Sequence, residues 1–295
     1  MMSHDIITSP FPGVEAHPGT GHYGVYDYGA HVYAWQPQGE RPVLWMSAKS
    51  MYEAGQPLRG GVPVAFPWFG MGAQGALKPV HGFARLYPWN RYYVDDTIDH
   101  NGRLVVEYQL DRTKIEQQPH FPHAFMAMLR VIFTPDYLQI GLKVNNAGDE
   151  PFTFEEALHT YIAVGDARHV SIEGLEGKSY LERAGGVSIP NCVQDGAVQI
   201  TAETDRIYRH QGTVVLDDPT WGRKLHVSKE GSANTVVWNP WIAKAEAMPD
   251  FGNDEWMGMI CIEAANVLDN AITLAPGETH LMRQRLSLVG VQPTL

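Results

Sequence analysis

Apolar and polar side chains alternate along much of this chain. Tyr23 to Trp35, Leu104 to Leu110, Ala124 to Phe133, Leu138 to Val144, Phe152 to Val164 and His280 to Val289 all read this way, and a period of two marks a strand with one face buried. A helical period is hard to find. Between the runs stand turn clusters such as Asn145-Asn146-Ala147-Gly148-Asp149-Glu150-Pro151 and Ala275-Pro276-Gly277-Glu278, whose Asn, Gly and Pro supply tight-turn angles. Such short links favour antiparallel neighbours. The pattern therefore predicts an all-β protein. Gly and Pro are scattered instead of gathered in a linker, and no repeat period is visible, so the simplest organisation is one domain over residues 1–295.

Composition narrows the function. The hydrophobic fraction is 44% and the charged fraction 19%, which fits a packed globular chain. A formal net charge of -11, without a basic block interleaved with aromatics, argues against a nucleic-acid partner. It also means that an anionic ligand needs a local group of cations, so the position of each Arg is informative. The two cysteines, Cys192 and Cys261, lie far apart, which fits a reduced compartment better than a disulfide scaffold. Met1 to Gly13 lacks a basic region followed by a long apolar run, and no apolar stretch reaches 18 residues. The expectation is a cytoplasmic protein with no membrane partner.

Four segments carry candidate chemistry. In Leu58-Arg59-Gly60-Gly61-Val62-Pro63-Val64-Ala65-Phe66-Pro67-Trp68-Phe69-Gly70, a Gly pair and two prolines fix a loop that can offer Arg59 to an anion; a rigid packing loop with Arg59 in a surface ion pair explains it equally well. His81-Gly82-Phe83-Ala84-Arg85, with Lys78 just before it, can turn His81 and Arg85 to one pocket, although a lone His and Arg in a turn are more often structural. Gly72 to Lys78 lacks the Gly-Lys-Ser/Thr ending of a phosphate loop.

In Phe154-Glu155-Glu156-Ala157-Leu158-His159-Thr160-Tyr161-Ile162, alternation puts Glu155, Ala157, His159 and Tyr161 on one face. A carboxylate there would raise the imidazole's pKa and favour the imidazolium a general acid needs; the plainer alternative is a hydrogen-bonded histidine inside a sandwich. Finally, Glu263 emerges from the apolar run Met259-Ile260-Cys261-Ile262-Glu263-Ala264-Ala265-Asn266-Val267, where it is costly to bury unless paired with an Arg or tuned as a base. His120 and His123 have no companion ligands at metal spacing, and no Gly-x-Ser-x-Gly elbow occurs. Proton transfer is the chemistry left.

Together these segments resemble the hexose-6-phosphate mutarotases, or glucose-6-phosphate 1-epimerases, a branch of the aldose 1-epimerase superfamily. The likeness spans almost the whole chain and adds Glu203-Thr204-Asp205-Arg206-Ile207-Tyr208 and Val237-Trp238-Asn239-Pro240-Trp241 to the segments above. It implies a large antiparallel β-supersandwich of the galactose mutarotase-like kind, with the sugar on a concave sheet face. It also implies roles: His159 as general acid, Glu263 as general base, His81 and Asp205 on sugar hydroxyls, Arg59 and Arg85 on the phosphate, with Lys78 and Trp241 as further substrate contacts.

Glu263 would take the anomeric proton while His159 protonates the ring oxygen, the ring would open, and closure on the other carbonyl face would give the other anomer. No cofactor and no metal are expected, and the expected partner is a small sugar phosphate bound by a monomer. The rivals are an epimerase of unphosphorylated aldoses and a non-catalytic carbohydrate-binding protein of the same fold.

Overall fold

The computed structural model describes residues 4–8, 10–95, 102–116 and 118–289. Of the segment read for a leader, residues 1–3 and 9 lie outside these. Antiparallel sheets dominate, with one α-helix, Trp241–Ala247, among the described residues.

A nine-stranded sheet runs in the order Val198–Gln199, Ser171–Glu173, Val214–Asp218, Arg223–Glu230, Thr279–Val289, Tyr137–Asn146, Phe125–Phe133, Leu104–Asp111, Asn90–Val94. Four of its long strands, Leu104–Asp111, Phe125–Phe133, Tyr137–Asn146 and Thr279–Val289, are those that alternation predicts, with each end within two residues; Arg223–Glu230 was not predicted. Phe125, Ala127, Leu129, Val131 and Phe133 are buried on one face, as are Leu138, Ile140, Leu142 and Val144 on the next strand. The other face carries intermediate or exposed side chains such as Arg130. One-sided burial is what makes such strands legible.

A second, eight-stranded sheet packs against that apolar face. Its order is Ile189–Val193, Ser179–Glu182, Thr204–Arg209, Asn234–Asn239, Met259–Asn266, Glu156–Leu158, Val64–Ala65, with Tyr161–Ala163 also pairing Met259–Asn266. Here Asn234–Asn239 and Met259–Asn266 are buried at every position. Ile260, Ile262 and Ala264 join the main core beside Val237, Leu286 and Met282. The alternate residues face the opposite way, where Met259 and Cys261 pack with Trp238 and Trp256, and Ala265 packs with Val236 and Ile207. Glu263 belongs to this second face. A buried polar link spans the two sheets: Gln284 Nε2 donates to the Ile262 carbonyl at 2.9 Å, and Thr160 Oγ1 bonds Gln284 Oε1.

Two predicted strands are broken. Tyr23 to Trp35 is a hairpin, His22–Tyr26 and His31–Gln36, within a four-stranded sheet. Its turn holds Gly29 at φ +70° and Ala30 at φ +46°; the Gly29 N–H donates to the Tyr87 carbonyl, and a Cβ there would lie 2.9 Å from the Arg85 carbonyl oxygen. Only glycine permits that approach. The apolar side chains on both sides of the turn continue the alternation, which hides it.

Phe152 to Val164 divides into Phe152–Phe154, Glu156–Leu158 and Tyr161–Ala163. The first pairs Ile272–Leu274 in a separate two-stranded sheet. The other two continue along Met259–Asn266 on either side of a break at His159 and Thr160. At this break the His159 N–H donates to the Pro63 carbonyl and the Tyr161 N–H to the Gly61 carbonyl.

Candidate active site

The break puts His159 beside Glu263. Leu158 pairs with Ala264 and Tyr161 with Cys261, so the intervening histidine falls opposite the glutamate. His159 Nε2 lies 3.4 Å from Glu263 Oε1, with the glutamate side chain 1% exposed. His159 Nδ1 and both carboxylate oxygens of Glu263 are buried without a hydrogen bond. Buried polar atoms are rarely left this way unless a ligand is their partner. The imidazole stacks on Tyr161 at 4.8 Å and meets the edges of Trp238 at 6.0 Å and His81 at 5.3 Å.

The protonation expected of this pair from the sequence is corrected. Glu155 does not reach the imidazole: its Oε2 accepts from the Phe69 N–H and its Oε1 from the Leu268 N–H, tying two loops together. His159 is instead driven down to about 3, by burial first and then by the charges of Arg85 and Arg59. Burial, helped by Asp205, drives Glu263 well above the usual carboxylate range, although Arg183 and Arg85 oppose this. Both shifts favour the uncharged forms, a neutral imidazole and a protonated carboxyl.

Arg59 stands on the loop that closes over His159. Gly61, at φ +59°, places its backbone where a Cβ would come within 2.3 Å of the Val32 carbonyl oxygen, so the Gly pair is required for the loop to dock. The guanidinium is largely engaged: Nε and Nη2 donate to the two oxygens of Asp250 at 3.1 and 3.3 Å, and Nη1 donates to the Tyr161 hydroxyl at 2.8 Å. The alternative of an ion pair thus holds, but half-buried and beside the histidine. Among the described residues Arg85 has no acid partner in hydrogen-bond range; Nη2 donates to the Val80 carbonyl and Nε is buried without a partner. Burial, followed by the charge of Arg59, lowers Arg85 to about 10, so a cation near these two would be unwelcome and an anion stabilised.

His81 adopts φ +63°, a conformation that costs a non-glycine residue on the order of 1 kcal/mol. Its Nδ1 accepts from the Gly70 N–H at 3.2 Å. Burial and the charge of Arg85 hold the ring neutral, which leaves the proton on Nε2, as a donor to a ligand oxygen needs. Asp205 pairs across strands with Trp238, which pairs in turn with Cys261, so these line one row of the same face. Its carboxyl is raised by burial, against the charges of Arg183 and Lys244.

Lys78 and Trp241 are not brought to the pair. Lys78 is exposed on its loop. Trp241 begins the helix, with its ring 4.3 Å from Trp256, and the indole against His159 is that of Trp238.

Arg183 was missed. Its backbone N–H donates to Glu182 Oε1 at 3.1 Å, but its guanidinium has no hydrogen bond to an acid among the described residues, lies over Gly70, and carries a charge that reaches His81, Asp205 and Glu263. A signal existed in Arg183-Ala184-Gly185-Gly186, another cation beside a Gly pair. Cys261 Sγ, His159 and Glu263 also present ligand atoms within 4.8 Å of one another. Burial pushes the thiol well above its usual range, which makes it a poor metal ligand at neutral pH.

This geometry has relatives. A family model described as aldose 1-epimerase matches residues 16–287. The chain belongs to the aldose 1-epimerase family. A Cenchrus ciliaris protein with the provisional name glucose-6-phosphate 1-epimerase is 34% identical over 90% of this chain and 80% of its own. A protein of Escherichia coli K12 with the same provisional name is 34% identical over 86% and 82%. Among solved structures, a provisionally named mutarotase from Salmonella typhimurium superposes with a TM-score of 0.85 at 27% identity, covering 97% of this chain and 93% of the other. The antiparallel sandwich of the aldose 1-epimerase family is therefore the fold of this chain, as the resemblance implies.

Proposed function

We propose that this aldose 1-epimerase family member is an isomerase that interconverts the α and β anomers of hexose 6-phosphates, glucose 6-phosphate above all. The observation that carries the reading is the buried His159–Glu263 pair, whose unpartnered polar atoms lie within reach of the charge of Arg85, a cation with no carboxylate partner among the described residues. Anomer exchange needs one group to remove the anomeric hydroxyl proton and another to protonate the ring oxygen. Those two oxygens share one carbon, so an acid and base 3.4 Å apart can address both.

Glu263 takes the first proton, His159 supplies the second, and the C1 to ring-oxygen bond breaks to give the open aldehyde. Rotation about the C1–C2 bond and the reverse transfers complete the exchange. Each positioned proton transfer contributes about 100- to 10,000-fold. His81 Nε2–H and Asp205 hold ring hydroxyls, and Arg85 with Arg59 receives the phosphate. Arg85 favours a phosphorylated sugar over a free one, since a half-buried cation without an acid partner among the described residues is stabilised when an anion arrives.

Magnetisation-transfer NMR between the anomers of glucose 6-phosphate tests the reading. The protein should accelerate exchange, and His159→Ala should not; an inactive wild type would leave a binding protein as the better description.

A further inference from the structure

We propose that Glu15, His17 and His22 form a binding site for a divalent transition metal, best matched by zinc, on the four-stranded sheet. Glu263 belongs to the eight-stranded sheet, so this site and the proposed function stand independently.

A hairpin brings the three side chains together. Gly13–Ala16 and His22–Tyr26 pair antiparallel, with Ala16 opposite Tyr23 and Glu15 opposite Gly24. Between them the Gly21 N–H donates to the Pro18 carbonyl at 2.8 Å, and Gly19 sits at φ +61°. His17 and His22 are thereby left at the two ends of a tight turn, their rings within 15° of parallel and 4.9 Å apart. Two histidines separated by four residues have a spacing that zinc sites use.

Both rings address one carboxylate, each from its own side. His22 Nε2 lies 3.1 Å from Glu15 Oε1 and His17 Nε2 lies 3.8 Å from Oε2, and the three ligand atoms fall within 4.8 Å of one another. Ligand atoms around tetrahedral zinc stand about 3.3 Å apart, given bonds of about 2.0–2.1 Å. Closing the gap asks for a turn of one ring, and His17, with its side chain 54% exposed, has room to make it.

The carboxylate itself is held in place. Tyr33 donates its hydroxyl to Glu15 Oε1, and its ring meets the edge of His22 at 5.8 Å. A Cβ at Gly24 would fall 2.2 Å from Tyr33 Cζ, so only glycine lets that ring lie across the strand to the glutamate. An outer hydrogen bond of this kind orients a ligating carboxylate.

An ion pair between Glu15 and His22 accounts for part of the arrangement but leaves out His17. Its Nε2 is too far from the carboxylate for a hydrogen bond, and two imidazolium rings stacked face to face would repel. Asp5, on the edge strand His4–Ile7, pairs with Glu15, which puts a second carboxylate on the same face. One divalent cation suits all of these groups. It takes a lone pair from each imidazole and one from Oε2, displaces the hydrogen between His22 and Glu15, and leaves Tyr33 on Oε1. Two nitrogens and one oxygen, with a position open to water, favour zinc over magnesium or calcium, which prefer oxygen.

Calorimetric titration of the metal-stripped full chain with zinc tests the proposal. The expected result is one zinc ion per chain, bound about 10- to 100-fold more weakly by Tyr33→Phe and more weakly still by His17→Gln and by His22→Gln. Cys261, with His159 and Glu263, is the competing group of ligand atoms among the described residues. X-ray absorption at the zinc edge should therefore show nitrogen and oxygen at about 2.0–2.1 Å and no sulfur at about 2.3 Å, and Cys261→Ser should bind as the wild type does. Zinc that binds His17→Gln as tightly as the wild type, that carries a sulfur ligand, or that excess magnesium displaces would overturn the assignment, as would a chain that takes up no zinc.

Discussion

His159 Nε2 and Glu263 Oε1 face each other at 3.4 Å where a strand breaks, and the remaining polar atoms of both side chains are buried without partners. A pair left this way is costly to fold and useful to a ligand. Stability and activity are expected to trade against each other here.

Glu263→Gln keeps the shape of the side chain and removes its titration. Exchange of glucose 6-phosphate should fall about 100- to 10,000-fold. The unfolded chain holds Glu263 ionised above pH 4.5 while the folded chain pushes it well higher, so the wild-type carboxyl costs stability as pH rises past 4.5. The neutral variant should unfold at higher urea, by about 1–3 kcal/mol at pH 7. A variant both inactive and less stable would contradict the burial argument.

Arg85→Ala should separate substrates. Losing a charge-assisted contact to phosphate costs about 1.5–3 kcal/mol, which lowers kcat/KM for glucose 6-phosphate roughly 10- to 150-fold and leaves free glucose nearly unchanged. Arg59→Ala should also melt earlier, since it strands Asp250 without the two donors it now has. Parallel kinetics and thermal melts on both variants check this; equal losses on both sugars would remove Arg85 from the phosphate site.

The charge of Arg183 acts on Asp205 and Glu263, the residues that the proposed function assigns to the sugar. Arg183→Ala should therefore lower kcat/KM for glucose and glucose 6-phosphate alike, by about tenfold, where Arg85→Ala discriminates. The ratio of the two substrates' kcat/KM values is the measurement.

Acid should destabilise the fold through its neutral histidines. His31 is 2% exposed, has no partner for Nε2, and is lowered to about 3 by burial and then by Arg85. In the unfolded chain it takes a proton near pH 6.5, so its contribution to stability is complete above 6.5 and is lost as pH falls toward 3, at about 1.4 kcal/mol per pH unit. Glu263 acts in the opposite sense above 4.5, so the clean measurement is a difference. Urea midpoints of wild type and His31→Gln between pH 4.5 and 6.5 should diverge by that slope, and parallel curves would count against a neutral His31.

Alternation settled the outer sheet because each of its central strands has one wet and one dry face, so residues such as Phe125 to Phe133 announce their side and partners. It failed where both faces are buried. Met259–Asn266 carries no alternation, and the hairpin turn at Gly29 and the break at His159 are hidden inside apolar runs. The motifs around Arg59, His81, Asp205 and Glu263 were legible as residue types that resemble a family. Their protonation was not.

Shared-face reasoning nominated Glu155 as the partner of His159, but Glu155 is spent on two loop N–H groups, and the nearest carboxylate comes from a strand distant in sequence. Charge at a buried site depends on depth and on what lies across the fold, and neither is a local property. The chain by itself therefore determined the strands, the antiparallel habit and the candidate residues. Only the tertiary structure decided that Arg59 is held by Asp250, that no acid among the described residues hydrogen-bonds Arg85, and that burial favours the uncharged forms of both His159 and Glu263.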